Sequence, residues 1–475
     1  MRILPLLLTL TACTGTTETD TVVQPESACV AVAGEPELDA RGADTRVTLA
    51  ATGFFRTEKV CERWWMVTPE GHPFFSSGIN SFHPNGSTGG VTGVRPYQQT
   101  TQALYETDAD WANVAGTRLL SWNITTAGSW SRADLAAPHV AVAINLSLAD
   151  ADWLEGDVAD YWDPDWQATV EQSVAQTVLP LANDPAVLGW FLDNEISWGP
   201  DWRGSETLLQ RSLGLSETSP GKANAVDTLI DVYGSAQAVS DAISAPPSTR
   251  DELIARTAGW QSLAGGSSIQ ADDATTAFLT STAERYYSVT TAAIRAADPN
   301  HLILGNREVA PMTRMEVHNA AARHVDVISM NAYTFRPGIT EAAMRMSGGL
   351  DPADAFAELA ENHDIPLLIS EFGFRADDAG MPNSWPPIYP NLDTQTDRAD
   401  AFEAAALPWI ASGRVVGMHW FQWVDQPHEG RFDGEDNNWG LVNHADEPYE
   451  ELTDRMTQVY SGWWDHLQVP AEPAE

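Results

Sequence analysis

The chain has 475 residues, and 43% of them are hydrophobic, which is enough to build a large core. Its 26 basic and 66 acidic residues give a formal net charge of −40 at pH 7. Because such a chain has no net positive surface to neutralise phosphates, we exclude nucleic acid as a partner. The length fits two or three average domains, or one (β/α)8 barrel with insertions.

The first residues are typical of an export signal. Arg2 is followed by an apolar stretch at 3–10 and by the segment Leu-Thr-Ala-Cys, which ends at Cys13. We therefore expect residues 1–12 to be a signal peptide. The segment resembles a bacterial lipoprotein processing site, which implies lipidation of Cys13 and a place in the cell envelope, at the outer membrane or cell surface. The alternative is ordinary secretion with an incidental cysteine.

The other two cysteines, Cys29 and Cys61, are a candidate disulfide pair in an exported protein. The sequence has no Cys-x-x-Cys motif and no Cys/His cluster, so we expect no zinc site. Residues 433–438, DGEDNN, offer oxygen ligands that could hold calcium, but they lack full EF-hand spacing. We interpret them as a solvated turn and expect no metal.

Composition divides the rest of the chain into a tether, a domain and a tail. Residues 13–45 are rich in Thr, Glu, Ala, Gly and Pro, which is typical of a flexible tether. The domain is expected at 46–465 and begins with two strands joined by polar turns, an N-terminal β-hairpin. Residues 466–475 are expected to be a disordered tail.

Eight apolar, strand-like runs follow the hairpin, with helical stretches between most of them. Runs that are apolar throughout are typical of strands buried on both faces of a parallel sheet. Eight alternations predict a single α/β domain, a (β/α)8 (TIM) barrel. A doubly wound open sheet is the alternative, but no glycine-rich phosphate loop follows the first run. The runs are 74–80, 124–128, 140–146, 187–195, 302–308, 325–333, 366–374 and 415–425.

The gap between the fourth and fifth runs, at 196–300, is longer than one returning helix needs. Residues 275–297 predict that helix, and 225–242 and 250–260 predict further helices. Loops that follow strands line the active face of a barrel. We therefore expect this long helical insertion after strand four to form one wall of a cleft.

Polar residues close the predicted strands, where a barrel builds its active site. Glu195 ends the fourth run in GWFLDNEISWG, and Glu371 ends the seventh in PLLISEFGF. Two carboxylates at the ends of buried strands are what acid/base cleavage of a glycosidic bond requires. The candidate substrate-binding residues around them are Asn80, Trp130, Asn194, Arg307, Asn331, Tyr333, His419, Trp420, Gln422 and Asp425, and Glu308 closes the fifth run.

Simpler interpretations compete for some of these residues. The chain has 19 tryptophans, and flat indoles pack well on sugar rings, but core packing explains many of them. His419, alone on a strand, is as readily a packed core residue. Asp425 either binds substrate hydroxyls or caps a loop.

Five segments resemble retaining β-glycosidases with (β/α)8 barrels and, more closely, the agarase-like enzymes of glycoside hydrolase family fifty. They are RWWMVTPEGHPFFSSGIN, NITTAGSWS, GWFLDNEISWG, ISEFGF and GMHWFQWVDQPHEGRFDGEDNNWGLVN. The resemblance implies that Glu195 is the acid/base and Glu371 the nucleophile. It also implies that Asn194 holds the sugar 2-hydroxyl, that Tyr333 bonds the nucleophile, and that Trp420 floors the subsite at the cleavage point.

The sequence thus predicts a retaining β-glycoside hydrolase that acts on a galactose-containing polysaccharide such as agarose, or its oligosaccharides. This carbohydrate chemistry needs no cofactor, and contact with a membrane is expected only through the N-terminal lipid. The alternative is a surface glycan-binding lipoprotein that kept the fold and lost turnover. A Schiff-base barrel enzyme is disfavoured because Lys59 and Lys222 are the only lysines.

Overall fold

A computed structural model describes residues 29–263, 268–350 and 352–471. The predicted signal peptide at 1–12, Cys13 and the first part of the predicted tether lie outside the described residues, and these assignments remain predictions. Within the described part of the chain, no helix combines the length and the apolar character needed to cross a membrane.

The main sheet is parallel, and eight successive parts of the chain contribute to it in order. The eighth strand pairs with the first, with Trp420 opposite Ile79. The fifth strand is interrupted at Asn306 and Arg307; its first part pairs with the fourth strand and its second with the sixth. The predicted α/β barrel is confirmed. Its strands are Ser76–Ile79, Thr126–Ala127, Ala141–Asn145, Val187–Phe191, Leu302–Gly305 with Glu308–Val309, Ile328–Asn331, Leu367–Phe372 and Val415–Trp420.

Helices connect the strands, and several begin where the sequence supplies a cap. Thr107, Thr207, Thr249 and Thr394 each start a capping box, in which the threonine hydroxyl and the side chain three residues later satisfy free backbone N–H groups. Apart from four helices that lie between strand four and Ile269, the α-helices of the described residues are Pro96–Leu104, Asp108–Ser121, Pro164–Thr177, Ile269–Ala297, Met315–Ala321, Ile339–Ser347, Pro352–Asn362, Gln395–Ala411 and Glu450–Ser461. Short 3₁₀ helices cover Ala133–Leu135, Leu179–Leu181, Gln261–Leu263, Ala310–Met312, Asp377–Ala379 and Gly462–His466.

Between the fourth strand and the long helix Ile269–Ala297, the described residues form four additional helices that pack together, and two of them, Leu208–Leu213 and Pro220–Tyr233, pack against the long helix. Their buried leucines and valines join the large hydrophobic core that surrounds the barrel. The four helices are Leu208–Leu213, Pro220–Tyr233, Ala236–Ala242 and Arg250–Ile254.

An antiparallel three-stranded sheet precedes the barrel. Its strands are Arg56–Val60, Arg63–Val67 and Pro73–Phe74. Phe55 and Met66 from this region pack in one fully buried cluster with inward-facing residues of the barrel strands. The N-terminal sheet therefore completes the barrel core. A small parallel pair, Arg375–Ala376 with Asn391–Leu392, follows the seventh strand.

The segment at 29–45 is packed against the domain, which differs from the tether expected there. Strand Cys29–Ala31 pairs antiparallel with Gln468–Pro470, and Cys29 forms a disulfide with Cys61. Ala43 and Asp44 are fully buried. The same pairing places 468–470 in a strand instead of the expected tail. Composition did not indicate this order because a covalent crosslink and strand pairing, and not a run of apolar residues, hold these segments.

Candidate active site

The two glutamates lie at the carboxyl end of the barrel. Glu371 is in the seventh strand, and Glu195 follows the fourth strand, which ends at Phe191. The backbone of Glu195 has a φ of 52°, and Trp130 and Arg307 have φ angles of 60° and 54°. Residues other than glycine rarely adopt this left-handed region, and they do so mainly where surrounding contacts hold them at functional sites. The fourth strand ends earlier than predicted because the chain turns before Glu195.

Glu371 is buried and held by two donors. The Arg307 guanidinium donates to its Oε2 at 2.6 Å, and the Tyr333 hydroxyl donates to its Oε1 at 2.7 Å. Arg307 has no exposed side-chain surface and lies between the rings of Trp130 and Phe191, at 4.3 and 5.4 Å from their centroids. Arg307 therefore holds the Glu371 carboxylate through a buried ion pair.

Burial raises the pKa of Glu371 to about 7. The Arg307 charge opposes this rise, the Glu195 charge adds to it, and the Tyr333 hydroxyl opposes it. A buried carboxylate ion is stable only where such partners compensate for lost water. The ion pair with Arg307, the Tyr333 phenol and the Arg431 charge all favour the ionised form of this carboxyl.

Glu195 is less buried and has different partners. The indole of Trp153 donates to its Oε2 at 3.0 Å, and the amide of Asn331 donates to its Oε1 at 2.9 Å. Arg203 donates to the Glu195 backbone carbonyl at 2.9 Å. These three contacts hold both the side chain and the main chain of Glu195 in one orientation.

Two hydrogen-bonded bridges connect the surroundings of the two carboxylates. The amide oxygen of Asn331, whose nitrogen bonds Glu195, accepts from the hydroxyl of Ser370, the neighbour of Glu371. The amide oxygen of Asn194 accepts from Arg307, which in turn bonds Glu371. The ends of strands four to seven thus form one polar network, and the structure brings these predicted site residues together.

Asn80 and Trp130 lie on the same side of the barrel. Asn80 is fully buried, and its amide donates to the carbonyl of Ser370 at 3.0 Å, so it supports the seventh strand beside Glu371. Trp130 is 43% exposed and covers Arg307, so it remains available to a ligand.

His419 is a core residue, which corrects its assignment to the substrate-binding set. It has no exposed surface, and its Nε2 is hydrogen-bonded to the Ser76 hydroxyl at 2.8 Å. Burial and the Arg307 charge lower its pKa to about 3, so the ring is neutral. A Cβ added to Gly78 would lie 2.2 Å from the His419 ring, so the glycine is needed for this packing.

Trp420 is also fully buried, so it does not floor a subsite as expected. Its ring packs against Phe372 and Phe402 and under the guanidinium of Arg398, and its indole donates to the carbonyl of Trp439 at 2.8 Å. Phe402 and Arg398 belong to the helix Gln395–Ala411. Because neighbouring residues of a strand point to opposite faces, His419 fills the barrel and Trp420 faces the helices.

Gln422 and Asp425 are buried in the loop that follows the eighth strand and bind protein groups. The Gln422 amide donates to the carbonyl of Val424. Asp425 accepts from the Asn438 amide, the Gly440 N–H and the Tyr449 hydroxyl. The loop-capping alternative for Asp425 is therefore the one that the structure supports.

The loop at 433–438 uses its oxygens internally. Asp433 pairs with Arg431, and Asp436 accepts from the backbone N–H groups of Ser384 and Trp385. Across residues 29–263, 268–350 and 352–471, no group of three or more His, Cys, Asp or Glu side chains could hold a metal ion.

Glu308 lies behind the site and does not face the cleft. It accepts hydrogen bonds from Trp198, Asn306 and Tyr287 and is 2% exposed. Burial raises its pKa to about 7, and these donors oppose the rise. Its contacts indicate that it connects the long helix Ile269–Ala297 to the fifth strand.

Trp153 and Arg203 contact the acid/base candidate directly, and the sequence analysis missed both. Trp153 follows the third strand and Arg203 follows the fourth, so both lie in loops at the active face. The rule that loops after strands line the site could have found them. Neither residue lies at a strand end, where the site residues were predicted.

No protein-family model matches the chain. The chain is 28% identical to beta-agarase A and 26% identical to beta-agarase B, both from Vibrio sp. (strain JT0107). These alignments cover 88% and 86% of this chain but 47% and 48% of the relatives. The chain therefore spans about half the length of the curated relatives it matches.

Solved agarase structures share the fold. One, described as an exo-beta-agarase, matches with a TM-score of 0.74 and 23% identity over 91% of this chain and 68% of that chain. A second, described as an agarase, matches with a TM-score of 0.72 and 25% identity over 90% of this chain and 68% of that chain. The predicted resemblance to agarase-like glycoside hydrolases is confirmed.

Proposed function

We propose that the protein is a retaining β-glycoside hydrolase that acts on a galactose-containing polysaccharide of the agarose type, or on its oligosaccharides. The observation that carries this proposal is the polar network in which Glu195 and Glu371 are linked through Asn331 and Arg307. The similarity to two beta-agarases supports the choice of substrate class.

In the first step, the Glu371 carboxylate attacks the anomeric carbon, while Glu195 donates its proton to the leaving glycosidic oxygen. The products are a covalent glycosyl-enzyme and the released leaving group. In the second step, Glu195 removes a proton from water, and the water oxygen displaces Glu371 from the anomeric carbon. The starting β-configuration is restored.

The surroundings of each carboxyl fit these roles. Arg307 and Tyr333 stabilise the ionised form of Glu371, which a nucleophile needs. Glu195 is less enclosed, and its oxygens are oriented by neutral donors from Trp153 and Asn331.

A substrate panel tests both the activity and its stereochemistry. Agarose, other galactans, glucans and mannans would be incubated with the protein, and the anomeric configuration of the first products would be read by NMR. We expect galactan cleavage with initial β-products. An initial α-product would contradict the nucleophile role of Glu371, and the absence of cleavage of any galactan would contradict the substrate class.

A further inference from the structure

Three aromatic side chains lie together beside Glu195, and of these only Trp153 has a part in the proposed reaction, as a donor to the Glu195 carboxyl. The Trp153 ring lies 6.3 Å from the Trp202 ring and 6.4 Å from the Phe432 ring, centroid to centroid. Trp202 is 47% exposed and Phe432 is 69% exposed. We call these three residues the aromatic platform.

Arg203 attaches the platform to the acid/base candidate. Its guanidinium lies 4.1 Å from the Trp202 ring centroid and donates to the backbone carbonyls of Trp153 and Glu195. The Arg203 side chain is 4% exposed and forms an ion pair with Asp201 at 2.6 Å. Trp202 also lines the same small pocket as Glu195. The position of Trp202 is therefore fixed relative to the carboxyl and is not that of a free surface residue.

Phe432 is supported in a similar way. The Arg431 guanidinium lies 5.4 Å from its ring centroid and pairs with Asp433 and Glu435. Both exposed rings thus lie beside a guanidinium whose charge is already compensated by carboxylates. The platform offers apolar, aromatic surface and no free cation for an anionic ligand.

The position of the platform indicates which part of a substrate it meets. The Trp153 indole bonds Glu195 Oε2, so the platform begins at the carboxyl that must face the glycosidic oxygen. The group beyond that oxygen is the leaving group. The flat, apolar faces of sugar rings pack on aromatic rings, whereas exposure of such rings to water is unfavourable.

We propose that Trp153, Trp202 and Phe432 bind sugar rings of the leaving-group portion of an uncharged galactan chain. This proposal rests on the proposed function and deepens it. Binding by these three rings makes the protein selective for substrates that continue beyond the cleaved bond, over galactosides with a small leaving group. The platform also favours uncharged chains over sulfated or carboxylated ones, because it offers no free cation and the protein has a net charge of −40.

The test compares two substrates in Trp202→Ala, Phe432→Ala and the double variant. One substrate is an agarose hexasaccharide, and the other is an aryl β-galactoside with a small leaving group. We expect each single change to lower kcat/KM for the hexasaccharide about tenfold relative to the aryl substrate, since one lost ring contact is of this order. Trp202→Phe and Phe432→Trp, which keep a ring, should recover most of the loss.

Leu179→Ala is the control, because Leu179 is 55% exposed in a short helix that precedes the fourth strand, at the opposite end of the barrel. The Leu179→Ala variant should have an unchanged kcat/KM for both substrates. Equal losses on both substrates in the platform variants, or no loss on either, would overturn the proposal. Thermal melting of each variant checks that the fold is retained.

A binding measurement separates failure of this proposal from failure of the proposed function. If the unaltered protein cleaves neither substrate, the proposed function is wrong. Calorimetry with the same hexasaccharide then tests whether the aromatic platform binds sugar. Binding that weakens about tenfold or more in the double variant supports the platform without turnover. Equal affinity in the two proteins, or no affinity in the unaltered one, overturns it.

Discussion

Glu371 and Glu195 carry the same functional group, but the protein surrounds them in opposite ways. Glu371 is 7% exposed and lies between a buried guanidinium and a phenol. Glu195 lies in a loop, is held by an indole and an amide, and adjoins exposed aromatic rings. Chemically identical groups are thus given different electrostatics and different access to solvent.

The difference shows how a barrel can assign separate roles to two carboxyls. A cation next to Glu371 favours its ionised form, whereas an indole and an amide orient the Glu195 carboxyl. Access also differs, because Glu195 adjoins the exposed rings of Trp202 and Phe432 through Trp153. The following predictions, from the largest expected effect to the smallest, test whether this contrast determines function.

Glu371→Gln replaces the buried carboxylate and should lower kcat by at least about a thousandfold on every substrate, because no nucleophile remains. Steady-state kinetics on the hexasaccharide and the aryl galactoside measure this. Glu451→Gln, at an exposed position on the C-terminal helix, is the matched control. Hydrolysis by the Glu371→Gln variant at the rate of the unaltered protein would contradict the nucleophile role of Glu371.

Glu195→Gln should have an effect that depends on the leaving group. Loss of a general acid costs about 10²–10⁴-fold for a sugar leaving group, which needs a proton. An aryl leaving group that departs as a stable anion should lose less than about tenfold in the bond-breaking step. Pre-steady-state release of the phenol measures that step. The same loss for both leaving groups would contradict the acid role.

Arg307→Met tests the electrostatic half of the contrast. The pKa of Glu371 is about 7, so activity should rise with pH through that region as the nucleophile ionises. Loss of the cation disfavours the ionised form, so the acid limb of the kcat/KM profile should move up by about 1–3 pH units. Arg307→Lys keeps the charge and should shift it less. An unmoved limb with reduced activity would indicate a structural role only.

Tyr333→Phe removes one hydrogen bond to Glu371 and leaves the ion pair intact. Hydrogen bonds to charged groups contribute about 1.5–3 kcal/mol, so we expect a loss in kcat of at least about tenfold and a smaller change in KM. The acid limb of the kcat/KM profile should move to higher pH, as in Arg307→Met, because the lost hydroxyl donor stabilised the ionised form of Glu371. A rise in KM with unchanged kcat would indicate substrate binding instead.

Much of this arrangement was predictable from residue patterns. Apolar runs of eight strands and their helices predict the barrel, because a parallel sheet buried on both faces requires such runs. Placing polar residues at strand ends correctly grouped Glu195, Glu371, Arg307, Asn331 and Tyr333. The approach failed at Trp420, because a shift of one residue along a strand exchanges the inner and outer faces.

Other features depend on contacts between distant parts of the chain. The Trp153 indole reaches Glu195 from another loop, and Cys29 bonds Cys61 while its strand pairs with 468–470. The cysteine count predicted the disulfide, but the indole contact and the strand pairing have no local signature, since each requires two segments to be placed by the whole fold. The order at 29–45 was missed for the same reason.

The sequence by itself determined the α/β barrel and the chemical pair of Glu195 and Glu371, since both follow from residue type and periodicity along single segments. Only the tertiary structure decided what surrounds each carboxyl: the ion pair that encloses Glu371 and the aromatic platform beside Glu195. The physical reason is that burial and charge compensation are properties of neighbours in space. Those neighbours come from different strands and loops that meet only when the barrel closes.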